Sequence, residues 1–160
     1  MSISRKVLES LSELGITLSA KPDFEIPQLP RDITELDDEG LMDLFVQFTQ
    51  WNDHLSGARA IAVINEREAE RAVDSIEAKC MVNNWQGGKG DRVAVVKATI
   101  TVDPEVEQLK HDLDIKYAFR KLLETRAENV ERDSQVVSRE LTRRTSDGGG
   151  FRSRARKFTT

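Results

Sequence analysis

Two basic segments of this chain combine cationic side chains with aromatic rings. One lies in the closing sequence GGGFRSRARKFTT and the two arginines before it, and consists of Arg143, Arg144, Phe151, Arg152, Arg154, Arg156, Lys157 and Phe158. The other follows Trp85 in NNWQGGKGDR and consists of Lys89, Arg92 and Lys97. Cations neutralise phosphates and aromatic rings stack on unpaired bases. Both segments therefore favour single-stranded nucleic acid, while RNA, an acidic protein surface, a solubilising tail and a plain turn remain open alternatives.

The charge distribution sets the basic tail apart from the rest of the chain. Residues 1–138 hold 17 Lys/Arg and 26 Asp/Glu, a net charge of −9, whereas residues 139–160 hold seven and two, a net charge of +5. The whole chain has a net charge of −4. A change of sign of this kind is typical of a tail that binds something anionic.

No residue pattern predicts catalysis, a cofactor or a metal site. The two histidines, His54 and His111, lie far apart in the sequence and neither belongs to a pattern such as HExxH. The glycines in GGKGDR lack the Lys-Ser/Thr ending of a phosphate-binding loop. HDLD places carboxylates near His111 but offers no further ligands. We therefore expect a protein that is not an enzyme.

Composition indicates long helices with a narrow buried face. Charged residues make up 32% and apolar residues 38% of the 160 residues. No apolar run reaches the roughly 20 residues of a membrane span, and MSISRKVLES lacks the apolar core of a signal peptide. The single Cys80 is better explained as a small packing residue than as a nucleophile, and it suits a reducing, cytoplasmic location.

The first 36 residues divide into two predicted segments. Residues 1–16 form a short amphipathic helix that ends at Gly15, with apolar side chains at helical spacing. This helix either docks on its own core or is a peptide that binds a partner protein. Residues 17–36 form an extended strap, because Pro22, Pro27 and Pro30 deny a helix its hydrogen bonds.

A long helix is predicted to begin after Asp37, which suits the N-cap, and to end before NNWQGGKGDR. Leu36 and Leu41 suit a hydrophobic staple across this start. A seven-residue repeat predicts a coiled-coil seam in which Asn65 is the polar position. The seam consists of Leu41, Leu44, Phe48, Trp51, Leu55, Ala58, Ala62, Asn65, Ala69, Ala72 and Ile76.

A second long helix is predicted to begin with Asp103 as N-cap and Pro104 at the first helical position, and to run to about Thr145. Its seam includes Val106, Leu109, Leu113, Leu123, Ala127, Val130, Val137 and Leu141. Between the two helices, β-branched residues at 91–101 leave strand and helix both open. We favour a short helix that breaks near Thr101, because no other segment predicts a strand to pair with it.

Together these segments predict an all-α fold: a long antiparallel, coiled-coil-like helical hairpin over residues 37–145, a short N-terminal helix, a Pro-rich extended strap and a flexible basic tail at 146–160. Two helices alone have no interior, so we expect Phe48, Trp51, Tyr117 and Phe119 to be partly exposed. Exposed apolar surface of this kind predicts a homo-oligomer. The residues expected at the core or oligomer seam are Phe48, Trp51, Leu55, Leu113, Phe119 and Leu123.

Over about residues 40–142 the chain resembles the UvsY-type phage recombination mediators. The resemblance rests on WNDHLS in the first long helix, on the turn GKGD, and on DPEV followed by KYAFRKLLE in the second long helix. It implies a small, cytosolic, helical, oligomeric protein that binds single-stranded DNA and helps to load a RecA-like recombinase. The basic residues that match the family's DNA-contacting positions are Lys79, Lys89 and Arg92. The strap and the basic tail depart from the family pattern.

The sequence is therefore compatible with three functions. The first is a recombination mediator that binds single-stranded DNA and a recombinase. The second is a structural coiled-coil phage protein, such as a scaffold, virion or adaptor component, whose tail contacts an acidic partner or packaged genome. The third is a helical regulator that binds one partner through its N-terminal helix, around Leu11.

Overall fold

A computed structural model of the chain describes residues 2–84 and 93–155, with side chains at 2–83 and 93–146. Within these ranges every regular element is helical, so the predicted all-α fold is confirmed. The elements are α1 (Ile3–Glu13), a 3-10 helix (Ile33–Glu35), α2 (Asp38–Asn84), α3 (Val93–Thr101) and α4 (Pro104–Ala155). None of these helices combines the length and the apolar character that a membrane span requires.

Helices α2 and α4 pair as a long antiparallel hairpin. The chain divides into two compact units, and each contains part of both helices. Unit 1 comprises residues 1–17 and 58–124, and unit 2 comprises residues 18–57 and 125–160. In unit 1, Arg59 of α2 forms an ion pair with Glu124 of α4, and Glu77 of α2 forms one with Lys110 of α4. The residue number rises along α2 while that of its partner falls along α4, so the two helices are antiparallel.

The helix starts follow the predicted caps. Asp37 Oδ1 accepts a hydrogen bond from Gly40 N at 2.8 Å, and Asp103 Oδ1 accepts one from Glu105 N at 2.9 Å. Each side chain satisfies a backbone donor that a helix start leaves without an intrahelical partner. Gly15, at φ 73°, ends α1 in the left-handed conformation that a side chain disfavours. The sequence therefore predicted correctly the capping residues of α2 and α4 and the glycine that ends α1.

Two predicted helix ends were wrong. α2 continues through Asn83 to Asn84, and α4 continues past Thr145 to Ala155. A glycine costs a helix only about 1 kcal/mol relative to alanine. Because SDGGG contains no proline, each added residue still forms its backbone hydrogen bond and an established helix can propagate. The predicted flexible tail at 146–160 is therefore helical over its first part, and residues 156–160 lie outside the described residues.

The segment 93–101 forms helix α3, as favoured from the sequence. Val96 and Ile100 are buried with Val106 of α4, and Ile76, Cys80 and Met81 of α2 pack against this cluster. β-branched residues adopt a helix here because burial against α2 and α4 outweighs a propensity difference of less than about 1 kcal/mol per residue.

Many of the residues that the repeat places on the seam are buried in the structure. Leu41, Phe48, Trp51 and Leu55 of α2 are buried, as are Val106, Ala127, Val130 and Val137 of α4. Phe48 and Trp51 were expected to be partly exposed, and this was wrong: they are 0% and 6% exposed. The strap covers this part of α2, since the Phe24 ring meets the Trp51 ring edge-on at 6.5 Å. Tyr117 and Phe119 are exposed, as predicted.

Candidate nucleic-acid interface

Two of the predicted basic residues lie on helices that lead into and out of residues 85–92. Lys79 belongs to the last turns of α2 and Lys97 belongs to α3, and both side chains are exposed. The cluster of Val96, Ile100 and Val106 fixes α3 against α2 and so positions Lys97. Neither lysine forms an ion pair with any described residue, which leaves both ammonium groups available to a phosphate.

The remaining residues of the predicted loop site lie outside the described residues. These are Trp85, Lys89 and Arg92. In the tail, Phe151, Arg152 and Arg154 have a described helical backbone but no described side chain, and Arg156, Lys157 and Phe158 lie beyond the described range. Of the basic residues predicted in and around this loop, the structure therefore describes only the side chains of Lys79 and Lys97.

Lys97 shares an open groove of about 460 Å³ with carboxylates. The groove is lined by Asp74, Glu77, Ala78, Met81, Lys97, Ile100 and Thr101. Glu77 is bonded to Lys110 at 2.7 Å, which offsets one of the two negative charges. A strand of nucleic acid would be repelled by Asp74, so the groove floor is a poorer phosphate site than the exposed surface that carries the lysine.

Arg143 and Arg144, which were also predicted to bind nucleic acid, form ion pairs with carboxylates. Glu140 is 8% exposed and accepts hydrogen bonds from Arg143 Nη2 at 2.7 Å and Arg144 Nε at 2.8 Å. The hydrogen bond from Arg143, followed by the one from Arg144, lowers the pKa of Glu140 to about 2. Arg144 also bonds Asp38 and the carbonyl of Thr34. Its guanidinium therefore binds α4 to the start of α2, and a phosphate would have to displace three acceptors.

A second charged cluster lies in unit 1, and the sequence did not point to it. Arg120 donates from Nε and Nη2 to the two oxygens of Glu66, which is 7% exposed. Arg120 Nη1 also donates to Glu124 at 3.2 Å, and Glu124 accepts from Arg59 at 2.6 Å. The hydrogen bond to Glu66 raises the pKa of Arg120. The cluster satisfies its own charges, which makes it a structural contact between α2 and α4.

Glu66, and not the predicted Asn65, is therefore the polar residue on the face of α2 that meets α4. Asn65, which the repeat marked for that role, is half-buried beside a groove with Glu68 and Leu109. Adjacent residues on a helix are about 100° apart, so the rotation of α2 about its own axis decides which of the two faces α4. One sequence pattern does not resolve that rotation.

The other candidate chemical groups have structural roles. His54 Nδ1 lies 3.0 Å from the carbonyl oxygen of Ser19, which fits a donor N–H, and the ring meets Trp51 edge-on. Cys80 packs against the α3 cluster, and burial raises the pKa of its thiol. Among the described residues no group of three or more His, Cys, Asp or Glu side chains is arranged to hold a metal ion.

The fold and these contacts define an all-α helical-hairpin protein. No protein-family model, curated protein or solved structure matches the chain.

Proposed function

We propose that this chain is a non-enzymatic, self-associating protein of the cytoplasm that binds single-stranded DNA and helps to load a RecA-like recombinase. If the protein is phage-encoded, the compartment is the host cytoplasm. The observation that carries the DNA-binding part is the position of Lys79 and Lys97, which are exposed and lie on the two helices that border the basic, Trp-containing segment 85–92.

Further support comes from the sequence of the tail. Arg152, Arg154, Arg156 and Lys157 are interleaved with Phe151 and Phe158. Several tails on one assembly would bind a strand together, so that modest individual affinities combine through a high effective concentration. The recombinase-loading part depends on the resemblance of WNDHLS, GKGD and DPEV to the UvsY-type mediators.

The first experiment measures binding of a fluorescent single-stranded oligonucleotide by anisotropy over a range of salt. We expect binding that weakens as salt rises, because cations on the protein displace counterions from the phosphates. K79Q/K97Q should weaken binding and lower the slope of log K against log salt by about 0.7 for each phosphate that the protein no longer neutralises. No binding at low salt would contradict the proposal.

A matched control separates local contacts from general charge. Arg67 and Arg71 are exposed on α2, and R67Q/R71Q removes the same charge as K79Q/K97Q. We expect the control to change affinity less than K79Q/K97Q does. Neutralising the tail with R152Q/R154Q/R156Q/K157Q tests the other basic segment in the same assay. Equal losses of affinity in the two double variants would show that only net charge matters.

The loading function needs its own measurement. Single-stranded DNA coated with a single-strand-binding protein slows a DNA-dependent recombinase ATPase, and a mediator relieves that delay. We expect the wild-type chain to shorten the lag and K79Q/K97Q to do so less. If the chain binds DNA but leaves the lag unchanged, the loading function is contradicted and only the DNA-binding part of the proposal stands.

The second candidate is a structural coiled-coil phage protein. It is favoured by the carboxylate partners of Arg143 and Arg144, which remove two cations from the basic segment, and by the exposed apolar residues of α4. Under this function, removal of residues 148–160 would weaken assembly with an acidic partner, and the full chain would not bind free oligonucleotide. Under the mediator function the same truncation weakens DNA binding and leaves assembly intact.

A further inference from the structure

One face of α4 in unit 2 carries three arginines at helical spacing. Arg132, Arg139 and Arg143 are separated by seven and four residues, which places them within about 40° of one another around the helix axis. All three are exposed. The buried Val130 and Val137 lie about 120–180° away from them around the same axis. This row, the arginine ridge, is therefore on the side of α4 that faces away from the core of the hairpin.

The ridge is uninterrupted by acidic residues along its length. Between positions 129 and 146 of α4, the other residues within about 60° of the ridge are Asn129, Gln135, Val136 and Ser146. Glu128 stands at the amino end of the ridge, one turn before Arg132, and no described bond joins the two. The described part of this face is therefore a straight row of positive charges.

The ion pairs of α4 leave two of the three ridge arginines available. Arg132 and Arg139 form no ion pair with any described residue. Arg143 is paired with Glu140 at 2.7 Å, but its side chain remains 55% exposed. Arg132 and Arg139 therefore supply the uncompensated charge of the ridge, and Arg143 adds exposed charge at its carboxyl end that Glu140 offsets in part.

A linear row of guanidinium groups suits a linear polyanion. The ridge spans eleven residues from Arg132 to Arg143, which is about 16 Å along the helix, enough to contact several phosphates of one strand. Each guanidinium presents a planar fork of N–H donors that matches two phosphate oxygens. Contacts of this kind hold the backbone of a nucleic acid and do not distinguish its bases.

The length of α4 aligns the ridge with the basic segment at the end of the chain. α4 continues to Ala155, and position 154, an arginine, comes eleven residues after Arg143. Eleven residues are three turns with only about 20° left over, so the helix carries the line of the ridge on to that position. The sequence alone predicted a flexible tail from residue 146 and therefore did not reveal this alignment.

We propose that the arginine ridge is a second contact surface for the phosphate backbone of single-stranded DNA. It belongs to unit 2, whereas Lys79 and Lys97 belong to unit 1. The inference rests on the DNA binding of the proposed function and adds Arg132 and Arg139 to its contact residues. The ridge holds a strand without base preference.

The experiment measures binding of fluorescent single-stranded oligonucleotides to the full chain by anisotropy over a range of salt. We expect R132Q/R139Q to weaken binding on the order of tenfold at about 0.1 M salt, and to lower the slope of log K against log salt by about 1.4, or 0.7 for each phosphate. Oligothymidine and oligocytidine should lose affinity alike. R132K/R139K keeps both charges and should keep the salt slope of the wild type.

The matched control is R31Q/R126Q, which removes two exposed arginines from the same unit. Arg126 lies about 120° from Arg132 around α4, and Arg31 belongs to the strap. We expect the control to weaken binding less than threefold. Circular dichroism establishes that each variant keeps the helix content of the wild type. Equal losses in R132Q/R139Q and the control would overturn the inference, and so would a loss confined to one base sequence.

Competition distinguishes a phosphate backbone from an acidic protein. Unlabelled oligothymidine should displace the labelled strand at a lower charge concentration than polyglutamate does, and equal displacement by the two polymers would overturn the assignment to phosphate. The two DNA surfaces are separable in the same assay. If K79Q/K97Q weakens binding and R132Q/R139Q matches its control, only the ridge is contradicted. If the reverse holds, the ridge stands and the contacts assigned to Lys79 and Lys97 are contradicted.

Discussion

Arg144 Nη1 lies 2.8 Å from Asp38 Oδ1, and this ion pair joins α4 to the first turn of α2. The same guanidinium bonds Glu140 at 2.8 Å and the Thr34 carbonyl at 3.2 Å. The side chain is only 19% exposed. Although its sequence neighbourhood is that of a basic tail, Arg144 thus serves as a contact within unit 2, and its replacement should affect folding before it affects ligand binding.

We expect R144A to lower the melting temperature more than R143A does. Both variants remove a partner of Glu140, but only R144A also removes the bonds to Asp38 and Thr34. The adjacent arginine is therefore a matched control for charge and for the contact with Glu140. Thermal unfolding followed by circular dichroism at neutral pH measures the difference. Equal melting temperatures would show that the bonds to α2 and the 3-10 helix contribute nothing.

Glu140 should make stability depend on pH in the acid range. Its pKa is about 2 in the folded chain against an ordinary value of 4.5, so the folded state favours the carboxylate. That contribution is fully present above pH about 4.5 and is lost as pH falls towards 2. We therefore expect the wild type to be more stable than E140Q at pH 6, and the difference to shrink steadily below pH 4.5.

Urea unfolding at several pH values tests this expectation. E128Q, a change of the same kind at an exposed position of α4, is the control and should follow the wild-type curve closely. A constant difference between the wild type and E140Q from pH 6 to pH 2.5 would contradict the assigned role of the Glu140 carboxylate.

Phe48 is buried and Phe119 is exposed, so a Phe→Ala substitution at each position compares the same chemical change in opposite surroundings. Phe48 is 0% exposed, and we expect F48A to reduce the free energy of unfolding by about 3–5 kcal/mol, because it removes buried apolar surface and leaves a cavity. Phe119 is 61% exposed, and F119A should change the free energy of unfolding by no more than about 0.5 kcal/mol in dilute protein. Urea unfolding at low concentration makes the comparison. Similar reductions would mean that Phe119 is buried in the monomer.

The strap should control the surroundings of Trp51. In a W85F background Trp51 is the only tryptophan, and its burial predicts blue-shifted fluorescence emission. F24A removes the ring that meets Trp51 edge-on, so we expect the emission to shift to longer wavelength. E25A changes an exposed neighbour and should leave the emission unaltered. An unchanged spectrum in F24A would show that the strap does not shield Trp51.

Contacts within one or two helical turns were predictable from the sequence. Asp37 and Asp103 cap α2 and α4 because a carboxylate reaches backbone N–H groups two or three residues further on. Gly15 ends α1 because it adopts a positive φ without strain. The seam of Leu41, Phe48 and Leu55 follows from a repeat that keeps apolar side chains on one face.

The burial of Trp51, the Glu66–Arg120 pair and the partners of Arg144 were decided only by the tertiary structure. Trp51 is covered by a strap whose prolines predict an extended course but not the surface it covers. Glu66 and Arg120 are 54 residues apart, and Asp38 and Arg144 are 106 residues apart. Such pairs depend on the rotation and register of one helix against another. Those are set by the packing of all the side chains between them, whereas a cap depends only on its own helical turn.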